Sequence, residues 1–282
     1  MHSLSGADAP SAVPARPNTT FDPVETIAGA DDCGLLILCD HARNALPADY
    51  GTLGLPQAEL ERHIGYDIGA APLTRQLAAR LGAPAVLTTF SRLLIDPNRG
   101  EDDPTIVMRI SDGALIPDNA YIDEEERQRR IERFYRPYHA AVAATLDRML
   151  ATGRVPMIFS VHSFTPVWRG WARPWHAGVL WDQDPRMPER LLAALKRDSA
   201  LIVGDNEPYV GALRNDTMYK HATARGLAHA LIEVRQDLIG DETGVADWTA
   251  RLAPILTDLN AIEDLHVVRH FGSKTDDPRS LR

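Results

Sequence analysis

Five short stretches of the 282-residue chain bring acids, imidazoles and guanidinium groups to the ends of apolar runs. "GLLILCDHARN" (34–44) closes on Asp40, His41, Arg43 and Asn44, and "GYDIGA" (65–70) carries Asp67. "SRLLIDPNRG" (91–100) supplies Arg92, Asp96, Asn98 and Arg99. "FSVHSF" (159–164) ends in His162 and Ser163, and "IEVRQDL" (232–238) holds Glu233, Arg235 and Asp237. Each stretch alone has a plain reading. A strand-end histidine can be a satisfied polar residue, Asp67 a helix N-cap, Arg92 and Asp96 an ion pair, and Glu233 a partner of Arg235 on the same strand face. Together they form a different set. Two histidines and a carboxylate are a common ligand set for catalytic zinc, with a further position left for water. A second carboxylate can take that water's proton, and arginine with asparagine can grip a substrate carboxylate.

The local zinc signatures are missing: there is no H-E-x-x-H, and the residue three after His41 is Asn44. A third ligand must come from farther along the chain, and Asp67 is the choice. Asp40, next to His41 but on the other face of a strand, suits a supporting role beside the ligands. No G-x-S-x-G elbow, phosphate-binding G-x-x-x-x-G-K-[ST] loop or G-x-G-x-x-G turn is present, so serine-hydrolase and nucleotide chemistry are unsupported.

The elements that must position these residues are short apolar strands at 34–39, 85–89, 157–162, 177–181, 200–204 and 229–234, most of them apolar on both faces. Helices are expected at 68–82, with Asp67 as N-cap and Gly82 as stop, and at 123–150, kinked by Pro137. Two more are expected at 187–199 and 245–265. Strands alternating with helices predict a three-layer α/β/α sandwich with a mixed, largely parallel sheet, whose carboxyl edge binds ligands. Residues 102–123 read as a long surface excursion, a plausible flap. One domain is expected over 25–270, between a flexible tail at 1–24 and a loose one at 271–282.

Composition is that of a globular chain, 44% hydrophobic and 24% charged with a net charge of −9. That charge gives no reason to expect nucleic acid or an anionic membrane as partner. No apolar run approaches the length of a membrane span, and the N-terminus lacks the pattern of a signal peptide. A mutual disulfide between Cys33 and Cys39 is not expected, which suits the cytoplasm.

The stretches "CDHARN", "GYDIGA", "SRLLIDPNR", "SVHSFTP", "DNEPY" and "HATARGLAHALIEVRQDLI", in this order over roughly residues 30 to 265, resemble the N-formylglutamate amidohydrolase family. The resemblance implies a phosphorylase/hydrolase-like fold shared with zinc carboxypeptidases and aspartoacylases. It further implies a Zn2+-dependent amidohydrolase that removes a formyl or small acyl group from an N-acylated acidic amino acid. Carried over by motif, His41 and His162 bind zinc; the carboxypeptidase-like pattern places a glutamate three residues after the first histidine, where this chain has Asn44, and Asp67 stands in for it. Glu233 is the general base and Arg92 polarises the scissile carbonyl. Asn98 and Arg99 hold the carboxylate, while Arg235, Asn206 and His221 belong to the substrate pocket. Arg43 departs from the small residue common there, and either reads an extra negative charge or lies outward. Three other readings stay open on the residues alone: a related metallo-amidohydrolase for another N-acyl amino acid or peptide, a non-catalytic small-molecule binder on the same fold, and a structural or partner-binding protein, which the polar clusters at strand ends disfavour because such groups are costly to bury.

Overall fold

A computed structural model describes residues 20–276. Most of the tail expected at 1–24, and the end of the one expected at 271–282, lie outside the described residues. Seven strands form one sheet: β1 (Val24–Ile27), β2 (Leu35–Cys39), β3 (Ala85–Thr88), β4 (Met157–Phe164), β5 (Ala177–Leu180), β6 (Val203–Asp205) and β7 (His229–Arg235). Their order is β1-β3-β2-β4-β7-β5-β6. The pairs β2–β3, β2–β4, β4–β7 and β5–β6 are parallel, while β1–β3 and β7–β5 are antiparallel. The sheet is therefore mixed and mostly parallel, as the alternation of elements predicts.

Side chains alternate across it. Leu35, Ile37 and Cys39 join one core with α1 (Ala70–Leu81), α4 (Pro188–Leu195) and α6 (Glu242–Asn260). Leu36 and Leu38 join the opposite core, with Tyr138, Val142, Leu146 and Met149 of α3 (Arg136–Ala151) and Met218 of α5 (Thr217–His221). This even-numbered face of β2 continues into Asp40. On the same side of the sheet lie Ile158 of β4 and Leu231 of β7, two strands whose face continues into His162 and Glu233.

Three departures from expectation have physical causes. The edge strand β1 is not apolar enough to be read from its sequence, VETI, because its residues are only partly buried: Val24 and Ile27 pack against the two opposite cores, while Glu25 is held by Arg75. The N-cap of α1 is Gly69, not Asp67. Its φ is +82°, and a Cβ there would lie 2.2 Å from the Ile239 carbonyl oxygen, so glycine is required and Asp67 is released from capping. The long helix at 123–150 is α2 (Glu124–Arg130), a π-helical turn at Ile131–Tyr135, and α3. Pro137, near the start of α3, has no N–H to donate and crowds the preceding turn, which widens the register there.

The excursion at 102–123 is anchored at its base. Ile106, Val107 and Ile116 are buried. Asn119 donates to the carbonyls of Leu93 and Met108 (2.8 Å each) and accepts from Arg130 (2.7 Å). Its hairpin, Ile110–Ser111 paired with Ala114–Leu115, leaves Ile110 and Leu115 exposed. Among the described residues no helix is long and apolar enough to cross a membrane. Replacing Asn119 by Ala strands one guanidinium donor and two carbonyls. The expected loss is about 1–3 kcal/mol of stability, read by urea unfolding, whereas a value near zero would mean that water replaces the amide.

Candidate functional site

The carboxyl ends of β2, β4 and β7 meet beside the loop that follows β3, and the loop carrying Asp67 is stitched between them. The Asp67 amide donates to the His41 carbonyl (2.9 Å), and the Ser163 hydroxyl to the Ile68 carbonyl (2.8 Å). These bonds fix the Asp67 carboxylate between two imidazoles. Its Oδ2 lies 3.3 Å from His41 Nδ1 and 2.9 Å from His162 Nδ1. All three side chains are buried, and their candidate ligand atoms lie within 4.8 Å of one another.

A second layer of carboxylates stands behind each ring. Asp96 Oδ1 lies 2.8 Å from His41 Nε2, and Asp40 Oδ2 lies 3.1 Å from His162 Nε2. The supporting role expected for Asp40 is thus directed at His162 rather than at its neighbour His41. Asp40 Oδ1 also accepts from the hydroxyls of Tyr138 (2.6 Å) and Thr217 (3.0 Å). Asp96 is the more charged hub. Its Oδ1 accepts the Asn98 amide (2.9 Å), and its Oδ2 pairs with Arg92 (2.7 Å).

Every ring nitrogen of the two histidines therefore faces a carboxylate. That arrangement suits two imidazolium rings equally well as a cation that takes the place of the Nδ1 protons. Burial alone would depress both histidines, but the carboxylates prevail: Asp40 and Asp67 push His162 well above its ordinary pKa, and Asp96 and Asp67 raise His41. Burial works the other way on Asp67, yet the two imidazoles hold it far below the usual carboxylate range. Two imidazoles and a carboxylate, with Nε2–H groups anchored on further carboxylates, are the donor set and the second layer that a zinc ion takes. The residues fit the metal.

Glu233 sits beside His162 across the β4–β7 pairing. Its Oε2 is buried without a partner among the described residues, and burial pushes its carboxyl up to about 7. His41, Asp67, His162, Glu233, Arg92, Asn98 and Arg99 all line one cavity of about 600 Å³. Asn98 Oδ1 accepts the Thr217 amide (3.3 Å), which leaves its NH2 group for a ligand. Arg99 approaches Asp96 and Asp103 only to 3.9 Å.

Three residues expected in the pocket stand outside it. The guanidinium of Arg235 is taken by Asp237 (2.8 Å) and by the carbonyls of Arg173 and Trp175, so it does not pair with Glu233 either. Asn206 Oδ1 holds the amides of Trp181 and Gly211. His221 faces His139 (2.9 Å). Arg43 points away, half exposed, to Glu25. In the other direction, Asp216, His63 and Trp168 line the cavity without having drawn notice in the sequence, and Tyr209 brings the end of the "DNEPY" stretch to it.

Comparison with known proteins follows the same residues. The family model of N-formylglutamate amidohydrolase matches residues 33–240, which include every cavity residue from His41 to Glu233. N-formylglutamate deformylases of Pseudomonas putida and Pseudomonas aeruginosa are 31% and 28% identical over 103 residues. Those alignments cover 33% of this chain and 38% of either relative, well under half of their length. A solved gene product of Agrobacterium tumefaciens is 33% identical with a TM-score of 0.79, over 85% of this chain and 95% of that one. The N-formylglutamate amidohydrolase of Ralstonia eutropha JMP134 shares the fold at 21% identity and a TM-score of 0.65, over 84% and 97% of the two chains.

A metal must displace protons from the two raised histidines. The affinity of this cluster for a metal would therefore be highest above their raised pKa values and fall as pH drops through them. Competition with a chromophoric chelator at pH 8 and pH 6 should give markedly weaker binding at pH 6, and His162→Ala should abolish tight binding at both. Equal affinity at the two pH values would place the metal elsewhere.

Proposed function

The chain belongs to the N-formylglutamate amidohydrolase family, and from that premise we propose that it hydrolyses the formyl or small acyl amide of an N-acyl amino acid at a divalent metal held by His41, Asp67 and His162. The observation that carries this reading is the adjacency of a buried His–Asp–His donor set to a buried glutamate with one free oxygen. Zinc bound there would polarise the scissile carbonyl and make water a stronger acid.

The rest of the chemistry belongs to the chain. Glu233 accepts the proton of the attacking water on its unpartnered oxygen. With its pKa pushed up to about 7 by burial, it holds that proton long enough to return it to the leaving amine nitrogen. Arg92 is fixed by its bond to Asp96 and lines the cavity with a partly exposed guanidinium. It stabilises the negative charge that develops on the carbonyl oxygen. The free NH2 of Asn98 and the loosely paired guanidinium of Arg99 hold the α-carboxylate, which sets the amide against Glu233. Asp96 ties these functions together, since it bonds His41, Arg92 and the Asn98 backbone at once.

Replacing Glu233 by Gln keeps shape and removes the base. Formate release from N-formyl amino acids should fall by about a hundredfold or more, while zinc content stays near one equivalent. In the wild type, kcat/KM should decline on acidification with an apparent pKa at or below about 7, because the acid form of Glu233 cannot accept a proton and a bound cation can only lower that pKa. Near-normal turnover by Glu233→Gln would remove this residue from the chemistry.

A further inference from the structure

Behind Glu233 the cavity continues inward. Glu233, Leu231 and His229 all line it, and they alternate along one face of β7, so each step carries the row roughly 7 Å away from the reacting edge. Leu180, the register partner of Leu231 on β5, faces the same space, as does Met218 of α5. These three apolar side chains are each only 5–6% exposed and line the cavity as an apolar sleeve.

Asp216 also opens on this space. It immediately precedes α5 and accepts the Tyr219 amide on Oδ1 (2.6 Å) as the N-cap. That bond occupies one oxygen. No cationic side chain among the described residues lies within ion-pairing distance of the carboxyl, which is 95% buried at 5% exposure, and burial pushes its pKa up to about 8. Capping does not explain the acid, because asparagine or serine caps as well without burying an ionisable group. An apolar sleeve with a carboxyl at its wall is complementary to a side chain that is aliphatic along its length and carries N–H donors at its end.

We propose that this sleeve is the side-chain subsite and that Asp216 determines specificity, favouring N-acyl amino acids whose side chain ends in an amine, such as N-formyl-L-lysine, over those that end in a methyl or a carboxylate. This rests on the reading that the amide is cut beside Glu233. An incoming ammonium supplies the cation that Asp216 lacks and favours its ionised form, whereas a carboxylate-ended chain such as that of glutamate brings a second acid into a wall where burial already disfavours one.

The test compares formate release from N-formyl-L-lysine, N-formyl-L-norleucine and N-formyl-L-glutamate by zinc-loaded wild type and Asp216→Asn, the latter chosen because asparagine preserves the cap. Binding of the same three compounds is measured by calorimetry in the Glu233→Gln background, with and without Asp216→Asn. The wild type should favour lysine over norleucine by at least about tenfold in kcat/KM, and Asp216→Asn should bring the ratio to within about threefold. A wild-type ratio near one, or a ratio that Asp216→Asn leaves unchanged, overturns the proposal. If no compound releases formate, the hydrolytic reading falls and the calorimetric ratio decides the subsite by the same limits. Equal affinities, or no binding of the lysine compound, would then overturn the subsite as well.

Discussion

Three carboxylates, Asp40, Asp67 and Asp96, are held out of water at the carboxyl edge of the sheet, each at most 4% exposed. Burying an anion is costly unless charge or hydrogen bonds compensate it, and the surrounding structure supplies that compensation. His41 lies between Asp67 and Asp96, His162 between Asp67 and Asp40, Arg92 against Asp96, and two hydroxyls against Asp40. The cluster joins residues from β2, β4, the loop after β3, the segment before α1 and helices α3 and α5. Its geometry can therefore exist only when the sheet and both helical layers are assembled. The same bonds leave the two Nδ1 atoms converging on one carboxylate, where a metal is coordinated most readily, so one set of interactions serves both fold and proposed chemistry.

Much of this edge is legible in the sequence, because strands covered on both sides must be nearly continuous apolar runs and the polar residues ending them stand out. That is why Asp40, His41, His162 and Glu233 can be picked out one by one, and why their elements alternate into a mixed sheet. What is not legible is which polar group is already occupied. Arg235 shares a strand face with Glu233, yet Asp237 and two carbonyls use its guanidinium. Asn206 and His221 are likewise consumed locally, by loop amides and by another histidine. Asp67 shows the converse: its spacing to a helix start suggests a cap, and only the left-handed backbone at Gly69 shows that the cap lies two residues on. Asp216 is hidden by its own capping role, since "DTMY" reads as an ordinary helix start.

The two halves of the cavity differ in how they are held. The reacting half is built from groups bonded to one another through Asp96 and Asp67, so a small displacement of one is felt by the others. The inner half is walled by Leu180, Leu231 and Met218, which belong to the apolar core on that side of the sheet and carry no shared hydrogen bonds. Changes in the inner half can alter which side chain fits while the reacting half keeps its arrangement. Such a separation would let the inner wall change without rebuilding the residues of the reacting edge.

The imidazoles of His41 and His162 would hold a metal through the Nδ1 atoms that face Asp67, while their Nε2–H groups rest on Asp96 and Asp40. Anomalous diffraction at the zinc edge from zinc-loaded crystals tests it directly. One peak is expected at about 2.0–2.2 Å from both Nδ1 atoms and from the Asp67 carboxylate, with the bonds to Asp96 and Asp40 intact. A peak bound through Nε2, or one lying outside the His41–Asp67–His162 cluster, would contradict it.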